Sequence, residues 1–236
     1  MRKFILLFAM IASLSFAASP VAMAQDSVDL DAIGDTVLDA DIDQLIAGME
    51  TPMSDDELPD GFSNAVFQDP DAATGDSGII PTSDLDGSEG SVAYAVDWDP
   101  TSVASTPGAE ASPEGISFAV RIGTLNYIFV DEEITGDDLD EFRDGVQQGA
   151  ESTGDEATVE TIQVNGKDAV LMTYVLEEDG IQSVVQMIAL PVGNVMVTAM
   201  LVEAGENVDA DNVRTNAEAL VVSGAEYLGS VAEQAQ

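Results

Sequence analysis

Residues 181–202 form 22 consecutive positions without a charge, in a chain where 45 of 236 residues are Asp or Glu. A run of this length and hydropathy is long enough to be scored as a membrane span. Pro191 and the sequence Val192-Gly193-Asn194 cut it in the middle, however, and its two halves are rich in β-branched residues. Two strands, 181–190 and 194–202, joined by a tight turn at Gly193-Asn194 fit that pattern better. Val185 and Met187 then point to one side, and Val184, Ile188 and Leu190 to the other. A strand that is apolar on both faces has to be covered on both faces. The chain is therefore expected to be an α+β protein, with a central, largely antiparallel sheet flanked by helices in an α-β-α sandwich.

The elements around this hairpin follow from local pattern. Val92, Tyr94, Val96 and Trp98 alternate onto one face of a strand at 91–98. Segments 116–122, 125–130, 158–164 and 168–177 have the composition of further strands. Thr135 with Asp138 three residues on predicts a capped helix start, followed by the apolar stripe Leu139, Phe142 and Val146. Asp209 and Asp211 suit the positive end of a last helix, whose stripe is Val213, Ala217, Leu220, Val221 and Leu228. Towards the N-terminus, residues 25–62 are expected to be an acidic helix and linker. Leu38, Ile42, Leu45, Ile46 and Met49 are helically spaced, while Gly34 and scattered Asp residues weaken the pattern upstream. The two prolines and the acidic run of 51–62 predict a linker, and 63–114 is mostly turn chemistry with an exposed loop at 99–114. This divides the chain into 25–62 and a single α+β domain at 63–236, whose regular part spans about 115–228.

Residues 1–24 have the layout of a secretory signal. Arg2 and Lys3 precede an apolar run, and Ala22-Met23-Ala24 supplies small residues for cleavage before Gln25. The expected location is secreted or cell-envelope (periplasmic), soluble after cleavage, with neither a twin arginine nor a lipid-anchoring Cys. The chain contains no Cys at all, so no disulfide holds the fold and burial must do so.

Charge excludes whole classes of function. Residues 4–120 hold no Lys, Arg or His, and 22 of the carboxylates. Beyond the signal only Arg121, Arg143, Lys167 and Arg214 are basic, and loss of Arg2 and Lys3 takes the net charge from −39 to −41. Nucleic acid and anionic membrane surfaces need basic footprints and are excluded as direct partners. Spread over roughly 9,000 Å² of surface, the net charges lie about 15 Å apart. That spacing exceeds the Debye length of about 8 Å at 0.15 M salt and falls inside the roughly 30 Å at 0.01 M. Stability is thus expected to be salt-sensitive: the melting temperature should rise between those two salt concentrations and then level off. A flat profile would show that the charges are not crowded on the folded surface.

Few motifs carry chemistry. Gly75-Asp76-Ser77-Gly78 has the form of a serine-protease nucleophile loop, but the chain has no His to take the proton, and a polar turn is the better reading. Asp39, Asp41 and Asp43, with Glu50 at the twelfth position, match the oxygen spacing of an EF-hand loop. Position six is Gln44 where the turn needs Gly, and the same residues spell an amphipathic helix. These four are weak calcium candidates, alongside weak divalent-cation binding by carboxylates in general. Trp98 is either a ligand contact or core, with core favoured. Lys167 sits in an Asn-Gly-Lys turn as a solvated hairpin lysine rather than a base. A carboxylate pair of the glycosidase kind cannot be singled out among 45 acids.

The turn Val164-Asn165-Gly166-Lys167-Asp168-Ala169, the hairpin at Gly193-Asn194 and the long C-terminal helix resemble the closing half of PsbP-like domains. That family includes the extrinsic photosystem II protein, a Ran-binding nuclear-import release factor and secreted bacterial relatives. The resemblance covers about residues 115–228. It implies an antiparallel sheet flanked by helices, and binding or accessory roles rather than catalysis. Metal sites of the photosynthetic members use His and do not carry over. The expected function is a secreted, acidic, non-enzymatic binding or accessory protein that needs no cofactor and meets an unknown protein or small ligand. A calcium-binding envelope or extracellular protein and a carboxylate-based glycosidase are the alternatives.

Overall fold

The computed structural model describes residues 28–51, 53–68, 88–99, 120–153, 157–178, 180–206 and 208–236. The signal at 1–24, the Gly75–Gly78 motif and most of the loop at 99–114 lie outside these residues. Seven strands form one sheet: β1 (Phe62–Gln68), β2 (Ser88–Trp98), β3 (Val120–Val130), β4 (Ala157–Val164), β5 (Lys167–Glu178), β6 (Ile181–Val192) and β7 (Val195–Gly205). Their order is β1-β2-β3-β7-β6-β5-β4, and every neighbouring pair is antiparallel. Four helices accompany them: α1 (Leu30–Leu38), α2 (Ile42–Met49), α3 (Gly136–Thr153) and α4 (Ala210–Gln234). The fold is α+β with helices on both faces of the sheet, as the doubly apolar hairpin requires. No helix among the described residues is long and apolar enough to cross a membrane.

The hairpin β6–β7 is the centre of the molecule. Val184, Ile188, Leu190, Val197, Ala199 and Leu201 face the larger core, where α4 lays Val213, Ala217, Leu220, Val221 and Leu228 across β3, β7 and β6. Helices α1 and α2 pack against α4 and complete this layer. On the opposite face Ala189, Met196, Val170 and Ile128 meet Leu139 of α3. The capping pattern forms as read: the backbone N–H and hydroxyl of Thr135 both donate to Asp138 Oδ2, at 2.7 and 2.6 Å. At the Gly193-Asn194 turn, Gly193 takes φ +63°, a left-handed value that favours glycine.

Five expectations change. The single helix over 38–49 is two helices, because Asp41 leaves helical geometry to cap α2 and accepts the Gln44 N–H at 3.1 Å. Helix α1 runs straight through Gly34, since that glycine touches the β6–β7 turn; a Cβ there would stand 3.1 Å from Gly193 N. Segment 51–62 is packed rather than a free linker, with Met53 and Leu58 buried in the main core. Residues 28–62 therefore share the core with the rest of the chain. Segments 116–122 and 125–130 are not two strands: β3 runs unbroken from Val120, with Gly123 paired to Val96 on one side and Leu201 on the other. Strand β1 had no sequence signature, because a register shift between Ser63 and Val66, with Asn64 at φ +55°, breaks its alternation.

Candidate functional site

The four calcium candidates serve helix ends. Asp41 is the N-cap of α2, Asp43 lies in its first turn, Glu50 is its C-cap, and Asp39 is the C-cap of α1. An EF-hand loop has to curl around its ion, whereas the eight residues of α2 form a rod roughly 12 Å long. Gln44 stands in the first turn of that rod, where the loop would need its glycine. Among the described residues no group of three acidic side chains converges as metal ligands do.

Trp98 takes the core position. It is 5% exposed and stacks on Phe62 with centroids 6.2 Å apart, and its Nε1 has no hydrogen-bond partner. Lys167 is not simply solvated, because its ammonium reaches Asp31 of α1 at 3.1 Å and ties the β4–β5 turn to the helical layer. The other basic side chains beyond residue 24 are also paired. Arg121 bridges Asp99 and Glu203 at 3.4 and 3.2 Å, the latter only 12% exposed. Arg143 holds Asp140 and Asp144 on α3, with the Asp144 hydrogen bond the main cause raising its pKa. Arg214 binds Glu218 at 2.8 Å and reaches Glu160 of β4 at 3.8 Å. The lowered pKa of Asp138 has a local cause too, namely the hydroxyl and backbone N–H of Thr135.

The most concentrated polar chemistry was not singled out from sequence. Tyr94, Tyr127 and Tyr227 meet in the main core, with Tyr94 edge-on to Tyr127 at 6.0 Å and to Tyr227 at 6.4 Å. Their hydroxyls donate to backbone carbonyls: Tyr94 to Met49, Tyr127 to Gly224 at 3.0 Å, and Tyr227 to Thr51 at 2.6 Å. Ser223 of α4 adds a bond to the Glu57 carbonyl at 2.6 Å. Burial raises the pKa of all three tyrosines, since a phenolate would lose its water. They are held neutral as donors, and they fasten segment 49–57 to β2, β3 and α4. Alternation marked Tyr94 as core, but nothing in a one-dimensional pattern shows where a hydroxyl ends.

A shallow groove of about 460 Å³ opens at the start of α4, between Gln182, Val208, Asp209, Ala210 and Asp211. Asp209 already caps the helix, accepting from the Asp211 and Asn212 N–H groups. Beneath the helix start, Gln186 is buried and donates to the Ala210 carbonyl at 3.0 Å. Asp209 and Asp211 stand at its rim, so the positive end of α4 is already matched by carboxylates of the chain.

The chain matches no family model, no curated protein and no solved structure.

Proposed function

We propose that this chain is a secreted, acidic, non-enzymatic binding or accessory protein of PsbP-like kinship. The observation that carries the reading is the use made of scarce cations. All four basic side chains beyond residue 24 engage carboxylates of the chain itself. Cations directed at a substrate stabilise the charge that develops in acyl and phosphoryl transfer, and here the cations are directed at the fold. The buried tyrosines likewise spend their hydroxyls on carbonyls. The family kinship draws support from the turns at Asn165-Gly166 and Gly193-Asn194 and from α4 lying across the sheet. Export rests on the layout of residues 1–24.

The test is a broad hydrolase panel with the purified exported protein, preceded by intact-mass analysis. A mature chain beginning at Gln25 and no turnover is the expected result. Turnover of any substrate above a heat-denatured control overturns the non-enzymatic reading, and retention of residues 1–24 overturns export.

A further inference from the structure

The two edges of the sheet differ. β1 is blunted by its register shift and by the left-handed Asn64, a common way to protect an edge. β4 has no such device. It pairs with β5 through eight consecutive positions without a shift, from Ala157 opposite Tyr174 to Val164 opposite Lys167. Its sequence, Ala-Thr-Val-Glu-Thr-Ile-Gln-Val, contains no Pro, Gly or Lys and only one carboxylate, although nearly one residue in five of the chain is acidic. Thr158, Glu160, Thr161 and Gln163 are exposed, and among the described residues no strand lies beyond β4. The single charge, Glu160, is drawn towards Arg214 on the helical layer.

The turn at Asn165-Gly166 determines which backbone groups are free. Both residues have positive φ, +46° and +84°, as a two-residue type I′ hairpin requires. Val164 and Lys167 beside it are then a hydrogen-bonded pair. The even-numbered residues of β4 bond to β5, and residues 157, 159, 161 and 163 direct their N–H and C=O groups outward. An edge free in this way accepts another strand, and strand addition needs only main-chain complementarity.

We propose that the β4 edge pairs with β4 of a second copy of this chain, antiparallel, about a twofold axis at Thr161 and perpendicular to the sheet. Electrostatics choose this register. With the axis at Glu160, the two Glu160 side chains would stand directly opposite, about 4.5 Å apart at Cα, and like charges there are destabilising. Moving the axis to Thr161 places Glu160 against Ile162 and Thr158 against Val164, while keeping the outward groups bonded. The pairing is self-complementary, as a closed twofold contact must be. Low charge favours this strand as well, since one carboxylate in its eight residues leaves little repulsion between two copies along the joined edge. Residual repulsion, including that between the acidic α3 helices brought to one side of the joined sheet, makes the dimer salt-dependent.

The absence of native Cys supplies a clean reporter, because Thr161→Cys introduces the sole thiol. A hydrogen-bonded pair on the axis holds its Cα atoms about 5.5 Å apart, within disulfide reach. Analytical ultracentrifugation of the purified protein is expected to show a doubled mass at about 0.15 M salt, shifting towards monomer at about 0.01 M. Oxidised glutathione is expected to link T161C into a dimer faster than D35C, a thiol at an exposed position of α1. Thr161→Glu, which sets like charges opposite on the axis, is expected to give a folded monomer whose Tm no longer rises with protein concentration, as that of the wild-type dimer does. A monomeric mass up to about 1 mM at about 0.15 M salt overturns the proposal. So does a dimer that T161E leaves intact and T161C fails to link, which would place the contact elsewhere. A monomer that instead takes up an added strand-forming peptide on this edge also overturns it, since the occupant is then not a second copy.

Discussion

The two faces of the sheet are covered by helices of very different commitment. Over one face, α4 buries thirteen of its twenty-five residues and is enclosed in turn by α1 and α2. Over the other, α3 is eighteen residues long, yet among its described side chains only Leu139 is fully buried, with Phe142 and Val146 half-buried. α3 carries Asp137, Asp138, Asp140, Glu141 and Asp144 and is held by its cap and a narrow stripe. Both helices lie on apolar strands. The contrast shows that depth of enclosure, rather than the presence of a helix, decides where a mostly acidic chain stores its stability. Segments open in order of their local contacts, so α3 should open at lower free energy than α4.

The widest separation between the faces should come from core truncation. Leu228, fully buried on α4, sits among the main cluster, and Leu228→Ala should cost about 2–5 kcal/mol by lost burial plus the cavity left behind. Phe142 on α3 is larger but only partly covered, and Phe142→Ala should cost about 1–2 kcal/mol. Chemical denaturation of both variants measures the difference. Equal losses would mean that α3 is as firmly built in as α4, and the comparison would fail.

Alkaline titration should strike one face alone. Of the three buried tyrosines, Tyr94 and Tyr127 lie under α4 and Tyr227 is part of it, and their folded pKa values stand above the unfolded value of about 10. A group whose folded pKa is raised contributes its stability fully below the unfolded pKa and loses it as pH climbs above. Stability should thus be level up to about pH 10. Beyond it, Tyr94 and Tyr127 together should remove about 3 kcal/mol per pH unit, at about 1.4 each. Tyr94→Phe should flatten that slope, because no proton is then left to lose at that position. A wild-type curve flat to pH 11.5 would show that the phenols reach solvent.

The same contrast accounts for what was legible in the sequence. Alternation located β2, turn chemistry bounded β4 and β5, and the uncharged run located β6 and β7, all to within a few residues, since a hairpin covered on both faces must be apolar on both. Thr135 and Asp138 located the start of α3 because a cap is a purely local device. Segment 51–62 was illegible for the opposite reason. Its anchors are the hydroxyls of Tyr227 and Ser223, more than 160 positions away along the chain, and no local pattern records a bond of that range. The helical reading of Asp39–Glu50 outweighed the metal reading because Gln44 occupies the position where an ion loop must turn. The single EF-like coincidence was thus decided by one residue.

The smallest predicted effect is the sharpest comparison, because one kind of substitution should change sign between the faces. At Gly224 of α4 an added Cβ would stand 2.8 Å from Leu125 Cδ1 and 3.0 Å from the Tyr127 hydroxyl. That hydroxyl is bonded to the Gly224 carbonyl, so neither neighbour can yield without disturbing the tyrosine cluster. Gly224→Ala should therefore destabilise, by about 1–3 kcal/mol as overpacking does. At Gly145 of α3 nothing lies within 4 Å of the same added atom, and the glycine costs only helix propensity. Gly145→Ala should stabilise by about 0.5–1 kcal/mol and slow amide exchange along α3 while leaving α4 unchanged. If Gly145→Ala were destabilising instead, α3 would have a packed partner on its outer side, and the sheet would be enclosed on both faces alike.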